Sequence, residues 1–152
     1  MLSESPRSGQ KFYFLIKEVK EKEEKNSPQI LLTRFGELFV RKLLEQEVPE
    51  IKKGIIAIRD ILRLPGLVSK IIVEKGQEAI KKGLRIDPAG TCIGEGGERV
   101  KSISRLVNYG MENSFIHRER VDIASWFEDK IKLLDRLISP VKLIRVNQEG
   151  DN

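Results

Sequence analysis

The residues whose types and spacing could do chemistry gather in one stretch, "GTCIGEGGERVKSI", from Gly90 to Ile103. Four of these fourteen residues are glycine, and an amphipathic helical pattern begins where the glycines end. Glycine is costly to order, so a cluster marks tight turns or close approach of the backbone to a ligand. A helix starting behind such a loop offers unpaired N–H groups and the positive end of its dipole, which suits a phosphate. Two nucleotide-binding loops can be set aside. A P-loop needs G-x-x-x-x-G-K-[ST], and no glycine here is followed by Lys and then Ser or Thr. A dinucleotide fingerprint needs G-x-G-x-x-G after a buried strand. Gly94 and Gly96 fit its first two positions, but Arg99 takes the third and the preceding "DPAGTC" does not read as a strand. What stays is G-x-x-G, Gly94-Glu95-Gly96-Gly97, between two short helical segments.

Other reactive residue types give less. Cys92 reads as a small buried apolar residue, the usual state of a free cysteine. His117, the single histidine, falls in an expected loop with no second ligand of its kind nearby, and reads as exposed and idle. Trp126, next to Phe127, reads as a core anchor between strand and helix rather than a base-stacking platform. No paired carboxylates, metal-ligand cluster or nucleophile with its base stand out, so an enzyme, a cofactor and a small-molecule substrate are not expected.

The chain has 152 residues, 39% apolar and 34% charged, with 28 basic against 23 acidic residues, a net charge of +5 and a pI near 9.3. This allows one good domain, or one plus a fragment. The basic balance makes nucleic acid or an anionic surface a plausible partner, although the excess is modest. One cysteine excludes an internal disulfide and fits a cytoplasmic chain. No apolar run approaches the roughly 18 residues of a membrane span, and Met1 to Gln10 lacks an apolar signal core.

The elements that must position the loop follow from periodicity. Residues 1–10 read as a disordered lead-in. "KFYFLIKEV" (11–19) and "PQILLT" (28–33) read as two strands around a charged loop, 20–27. A lone hairpin is marginal in water, so this piece must pack on something or end a larger β-domain. From Arg34 to Glu47, Phe35, Leu38, Phe39 and Leu43 recur at helical spacing. Val48-Pro49 ends that helix and is the best candidate for a linker. Strands are expected over 54–64 and 67–75, joined by a type II turn at Pro65-Gly66. A helical turn at 77–82 precedes the break at Asp87-Pro88, where Asp87 would cap and orient the next segment. After the glycines, Val100, Ile103, Leu106 and Val107 form one helical stripe, with Glu98, Lys101 and Arg105 opposite. A loop at 111–118, a strand at 120–125, a helix from Phe127 to Ile138, a strand at 141–146 and a polar tail at 147–152 complete the reading.

Strand, strand, helix, G-x-x-G, helix, strand is the hairpin-first plan of the KH module, whose loop clamps the backbone of about four single-stranded nucleotides. The sequence here resembles the bacterial NusA family of transcription factors. The matching residues are "LLEQEVPEI" (43–51), "RLPGLVSKIIV" (63–73), "DPAGTCIGEGGERVKSI" (87–103), "ERVDIASW" (119–126) and "SPVKLIRV" (139–146). They stand in that family's order, in and around its first KH domain. The resemblance implies an α+β fold: a prokaryotic-type KH domain over 48–146, a connector helix over 34–47, and at 1–33 the last two strands of an OB-like RNA-binding barrel. A full barrel needs about five strands, so the chain looks like a fragment or a truncated relative. The resemblance further implies nascent single-stranded RNA, RNA polymerase and other transcription factors as partners, in the cytoplasm, with no membrane role.

The expected RNA contacts are Ile93, Gly94, Glu95, Gly96, Gly97, Arg99, Val100, Lys101, Ile103 and Arg105. The glycines would cradle phosphates, Ile93, Val100 and Ile103 would form or support an apolar floor, and Arg99, Lys101 and Arg105 would supply charge. Lys101 and Arg105 read equally as plain solvated charges. The family often carries a basic residue at this loop, whereas Glu95 and Glu98 stand here. At about 7 Å in water two such carboxylates would cost a phosphate roughly 1 kcal/mol, less than tenfold in affinity. A KH scaffold that docks a protein instead of RNA is the competing expectation. Segments near 77–84 and 111–118 look longer than the family's, in loops where the fold should tolerate them.

Overall fold

The computed structural model describes residue 9 and residues 12–21, 27–109 and 118–138. Nearly all of the lead-in, most of the charged loop, residues 110–117 with His117, and the expected strand 141–146 and tail lie outside the described residues. The two N-terminal apolar runs form β1 (Leu15–Lys20) and β2 (Gln29–Thr33), an antiparallel pair with Ile16 opposite Leu32 and Val19 opposite Ile30. All four of these side chains are exposed.

Helix α1 (Glu37–Glu47) follows Gly36. Its buried stripe is Phe39, Val40, Leu43 and Leu44, which shifts the expected one. Leu38 points outward and Phe35 precedes the helix, and both are more than half exposed. Val48 breaks the helix as expected, but it is fully buried and not a linker. Pro49 opens a short α2 (Pro49–Lys52), a position where proline's missing N–H costs nothing. The helix expected as a connector is thus part of the main core.

Strands β3 (Ile56–Leu64) and β4 (Val68–Lys75) pair antiparallel around Pro65-Gly66. The Leu67 N–H donates to the Leu64 carbonyl at 2.9 Å and Gly66 has φ 79°, the expected type II turn. Short helices α3 (Gln77–Lys81) and α4 (Pro88–Ile93), one 3₁₀ turn (Glu95–Gly97) and α5 (Glu98–Asn108) cross over to β5 (Arg120–Ser125). β5 runs parallel to β4, and among the described residues the sheet order is β3-β4-β5, with β5 at the edge. A parallel neighbour requires such a long crossover, and this one carries the glycine loop. The last helix, α6 (Lys130–Leu137), starts three residues later than expected, behind Asp129, whose carboxylate accepts from the N–H groups of Ile131 and Lys132.

The core joins Phe39, Val40, Leu43, Leu44 and Val48 to Ile56, Ile61, Ile71, Val73, Cys92, Ile103 and Val107. Beside it lies a buried polar hub. Glu119 accepts from Arg63 Nε at 2.8 Å and Nη2 at 3.0 Å, from Ser69 Oγ at 2.6 Å and from the Gly66 N–H at 3.0 Å. The Arg63 and Glu119 side chains are 5% and 1% exposed. Arg63 also donates to the carbonyls of Arg34 and Gly36. The buried Arg34 guanidinium donates to the carbonyls of Leu106, Val107 and Tyr109, closing the C-terminal end of α5.

Burial pushes the Glu119 carboxyl up, but the hydrogen bonds from Arg63, Ser69 and Gly66 outweigh it and hold it below the ordinary carboxylate range. A carboxyl depressed in the folded state stabilises fully above its unfolded value, about 4.3. That stability is lost as pH falls through the folded value. Glu119→Ala strands Arg63 and is expected to lower the unfolding free energy at neutral pH by about 3–5 kcal/mol. Urea titrations should show a lower midpoint at pH 7, and a difference between the two proteins that narrows as pH drops below the carboxylate range. An unchanged midpoint would remove the hub from the account of stability.

Candidate nucleic-acid interface

The glycine loop is built by a helix that ends and another that begins without side-chain caps. α4 stops at Gly94, φ 78° and ψ 167°, and α5 starts behind Gly97, φ 77°. A Cβ on Gly94 would lie 2.9 Å from Arg99 Cγ and 3.1 Å from its backbone nitrogen, so no other residue fits. Gly96 also has positive φ, 58°, but open space around it. Glycine there keeps the outer surface of the loop bare. The Gly97 N–H closes the turn onto the Gly94 carbonyl at 3.0 Å.

The expected charges have specific employment. Arg99 holds Glu50 of α2 through both guanidinium ends, at 2.9 and 3.2 Å, and donates to the Thr91 carbonyl at 3.0 Å. Burial raises the Glu50 carboxyl, yet the hydrogen bond from Arg99 and its charge leave it net lowered. Arg99 therefore ties α2 to both helices that flank the loop. Lys101 bends back to donate to the Gly96 carbonyl at 2.9 Å. Arg105 is exposed, about two turns along α5 from its start. Glu95 and Glu98 are exposed and form no ion pair among the described residues.

Next to the loop, a groove of about 500 Å³ opens between α4, the start of α5 and β5. Ala89, Gly90, Ile93, Val100, Val121 and Ile123 line its apolar part. Ile93 and Val100, which flank the glycine turn in the chain, both line this groove, whereas Gly94, Gly96 and Gly97 are not among its lining residues. Ile103 is fully buried and lies beneath, in the core. Asp87, Asp122, Ser125 and Arg136 line the polar part, and Phe127 adds an aromatic ring to the lining. Arg120 and Trp126 donate their N–H groups to β4-side carbonyls, Leu67 and Val73. By alternation, the backbone groups of Val121, Ile123 and Ser125 turn to the other side, which no strand among the described residues covers.

Sequence reasoning did not find Phe127, Arg136 or the β5 wall as site residues. Alternation in "RVDIAS" would have put Val121, Ile123 and Ser125 on one side. No local signal announces that α6 folds back to the groove. Two other expectations shift. Asp87 precedes α4 but makes no side-chain cap. The Ser125 hydroxyl takes that role, accepting from the Ala89 N–H at 3.2 Å and donating to Asp87 Oδ1 at 3.3 Å. Trp126 is half-buried rather than a core anchor, with the Arg59 guanidinium stacked 3.8 Å from its ring.

Cys92 is fully buried, and burial, reinforced by the nearby Glu50 charge, pushes its thiol up to about 12. The folded protein is expected to leave Ellman's reagent unreacted at pH 8, and to release one thiol per chain once denatured. Rapid reaction in the native state would contradict this packing.

Among the described residues no group of three or more His, Cys, Asp or Glu side chains is placed to hold a metal ion, and no helix is long and apolar enough to cross a membrane. Residues 34–111 match the family model of the NusA-like first KH domain. The chain is 33% identical over 141 residues to the transcription termination/antitermination protein NusA of Thermus thermophilus, covering 93% of this chain and 32% of that protein. It is 34% identical over 139 residues to the protein of the same name from Mycoplasma genitalium, with 91% and 23% covered. Against the Bacillus subtilis protein the identity is 32% over 119 residues, with 78% and 28% covered. The chain spans a third or less of the length of these curated relatives. The hairpin-first α+β fold, the glycine loop at its place in the crossover and these likenesses agree: the chain belongs to the NusA-like first KH domain family.

Proposed function

We propose that this chain binds single-stranded RNA through the Gly94–Gly97 loop and the adjoining groove, as the KH module of a NusA-like transcription termination/antitermination factor. The observation that carries this reading is a bare glycine turn at the start of an eleven-residue helix, flanked by Ile93 and Val100, which line an apolar groove with β5 as its far wall. Gly94, Gly96 and Gly97 let the sugar–phosphate backbone approach. The uncapped N–H groups of α5 face the phosphate, with Glu95 beside them. Ile93 and Val100 floor the groove, and Ile103 supports it from the core. The open backbone edge of β5 offers donors and acceptors to the pairing edges of bases. Lys101 and Arg105 supply charge, and Arg99 holds the loop's frame. Nascent RNA, RNA polymerase and further transcription factors are the partners this reading brings with it, in the cytoplasm. It calls for no catalysis.

One observation favours a second reading. The exposed carboxylates of Glu95 and Glu98 and the commitment of Arg99 to Glu50 suit a scaffold that docks a protein instead. Fluorescence anisotropy with short single-stranded RNAs, at two salt concentrations, separates the two. The chain is expected to bind with micromolar affinity that weakens with salt. Gly96→Asp should abolish binding while remaining folded by circular dichroism, since the added side chain meets open space and aspartate tolerates positive φ. No binding by either folded protein would overturn the RNA reading and leave the scaffold.

A further inference from the structure

Beside the glycine turn the cations are few: Arg105 is exposed but stands about two turns along α5 and is not among the groove's lining residues. Arg99 is neutralised by Glu50. Lys101 lies over the Gly96 carbonyl, and the two exposed carboxylates of Glu95 and Glu98 outnumber it. On the opposite wall, Asp122 is answered by Arg120 at 2.8 Å and Lys70 at 3.5 Å, while Asp87 adds another carboxylate. A polyanion entering this groove needs positive charge from elsewhere.

That charge is available on α6. Arg136 lines the groove, is exposed, and makes no hydrogen bond or ion pair among the described residues. Its helix is fixed at both ends. Asp129 caps the start, and Lys70 donates to the Leu137 carbonyl at the finish. A cation in the last helical turn also agrees with the dipole. A guanidinium presents a planar fork of donors that matches a phosphate, and it cannot be deprotonated.

We infer that Arg136 is the phosphate-binding cation of this groove, so that α6 supplies the charge that the glycine loop lacks. The inference rests on the RNA reading above. It divides the labour of the site: the loop provides shape, and the last helix adds to Lys101 and Arg105 a cation that lines the groove itself.

The test compares wild type, Arg136→Gln and Lys132→Gln by anisotropy with homopolymeric single-stranded RNAs over a salt series. Lys132 is on the same helix but outside the groove lining, so its variant controls for loss of one positive charge. Arg136→Gln is expected to weaken binding roughly fivefold with every RNA. Its log–log salt slope should fall by about 0.7, the loss of one phosphate contact to a single strand. Lys132→Gln should keep both values. Wild-type binding with Arg136→Gln unchanged, or lowered no more than Lys132→Gln, overturns the inference and spares the RNA reading. A loss confined to one base with the slope intact makes Arg136 a base reader and overturns the phosphate assignment. No RNA binding by the folded wild type overturns both readings together.

Discussion

The groove depends on a buried carboxylate, Glu119, at the start of β5. A parallel edge strand has one neighbour and arrives after a long crossover, so its register must be pinned by something besides its own ladder. Glu119 does this by gathering Arg63 from β3, Ser69 from β4 and the backbone of Gly66 at their turn. Asn108 completes the arrangement. Its side-chain amide donates to the Glu119 carbonyl at 2.9 Å, and the Glu119 N–H donates to its Oδ1 at 2.7 Å. The end of α5 and the beginning of β5 are thereby fastened to each other, and the spacing of the two groove walls follows.

The same hub reaches the N-terminal hairpin. Arg34 closes the carbonyl end of α5 while its guanidinium lies 5.7 and 5.9 Å from the rings of Phe12 and Phe14, and 5.3 Å from Phe39. Phe12 in turn meets Tyr109 edge-on at 5.1 Å. An isolated two-stranded hairpin has little stability of its own, and this one leaves its Ile16, Val19, Ile30 and Leu32 side chains in solvent. Its attachment to the domain runs through Leu15, which packs against the core, and through aromatic rings around one arginine. The helix-closing contacts of Arg34 make the hairpin's root and the far end of α5 a single structural unit.

Much of this was legible in the sequence where the signal is local. Pro65-Gly66 gave the turn because proline and glycine fix the two central dihedrals it requires. The glycines at 94–97 gave the loop because no other residue type adopts such backbone cheaply. Local signals failed where an interaction spans the chain. Periodicity marked a helix at 34–47, but choosing Val40 and Leu44 over Phe35 and Leu38 depends on which face meets α5. Arg99 looked like an available charge, and its partner Glu50 stands 49 residues away. Ser125 caps a helix that begins 37 residues before it. Arg136 enters the groove only because α6 returns to β5, a tertiary fact with no periodic trace.

The acidic loop then has a physical rationale apart from ligand. α5 begins with no side-chain cap, so its first N–H groups stay unpaired within the helix. Glu95 and Glu98 supply negative charge at that end, where the dipole favours it. The groups that would welcome a phosphate are thus partly compensated in its absence. This stabilises the empty helix start and reduces the gain when a phosphate arrives. A loop of this kind steers no polyanion over long range, and under the proposed reading binding draws on the apolar groove, the backbone of β5 and charge carried by elements outside the loop. Shape and attraction become separate properties of the fold, set by different residues and free to change independently.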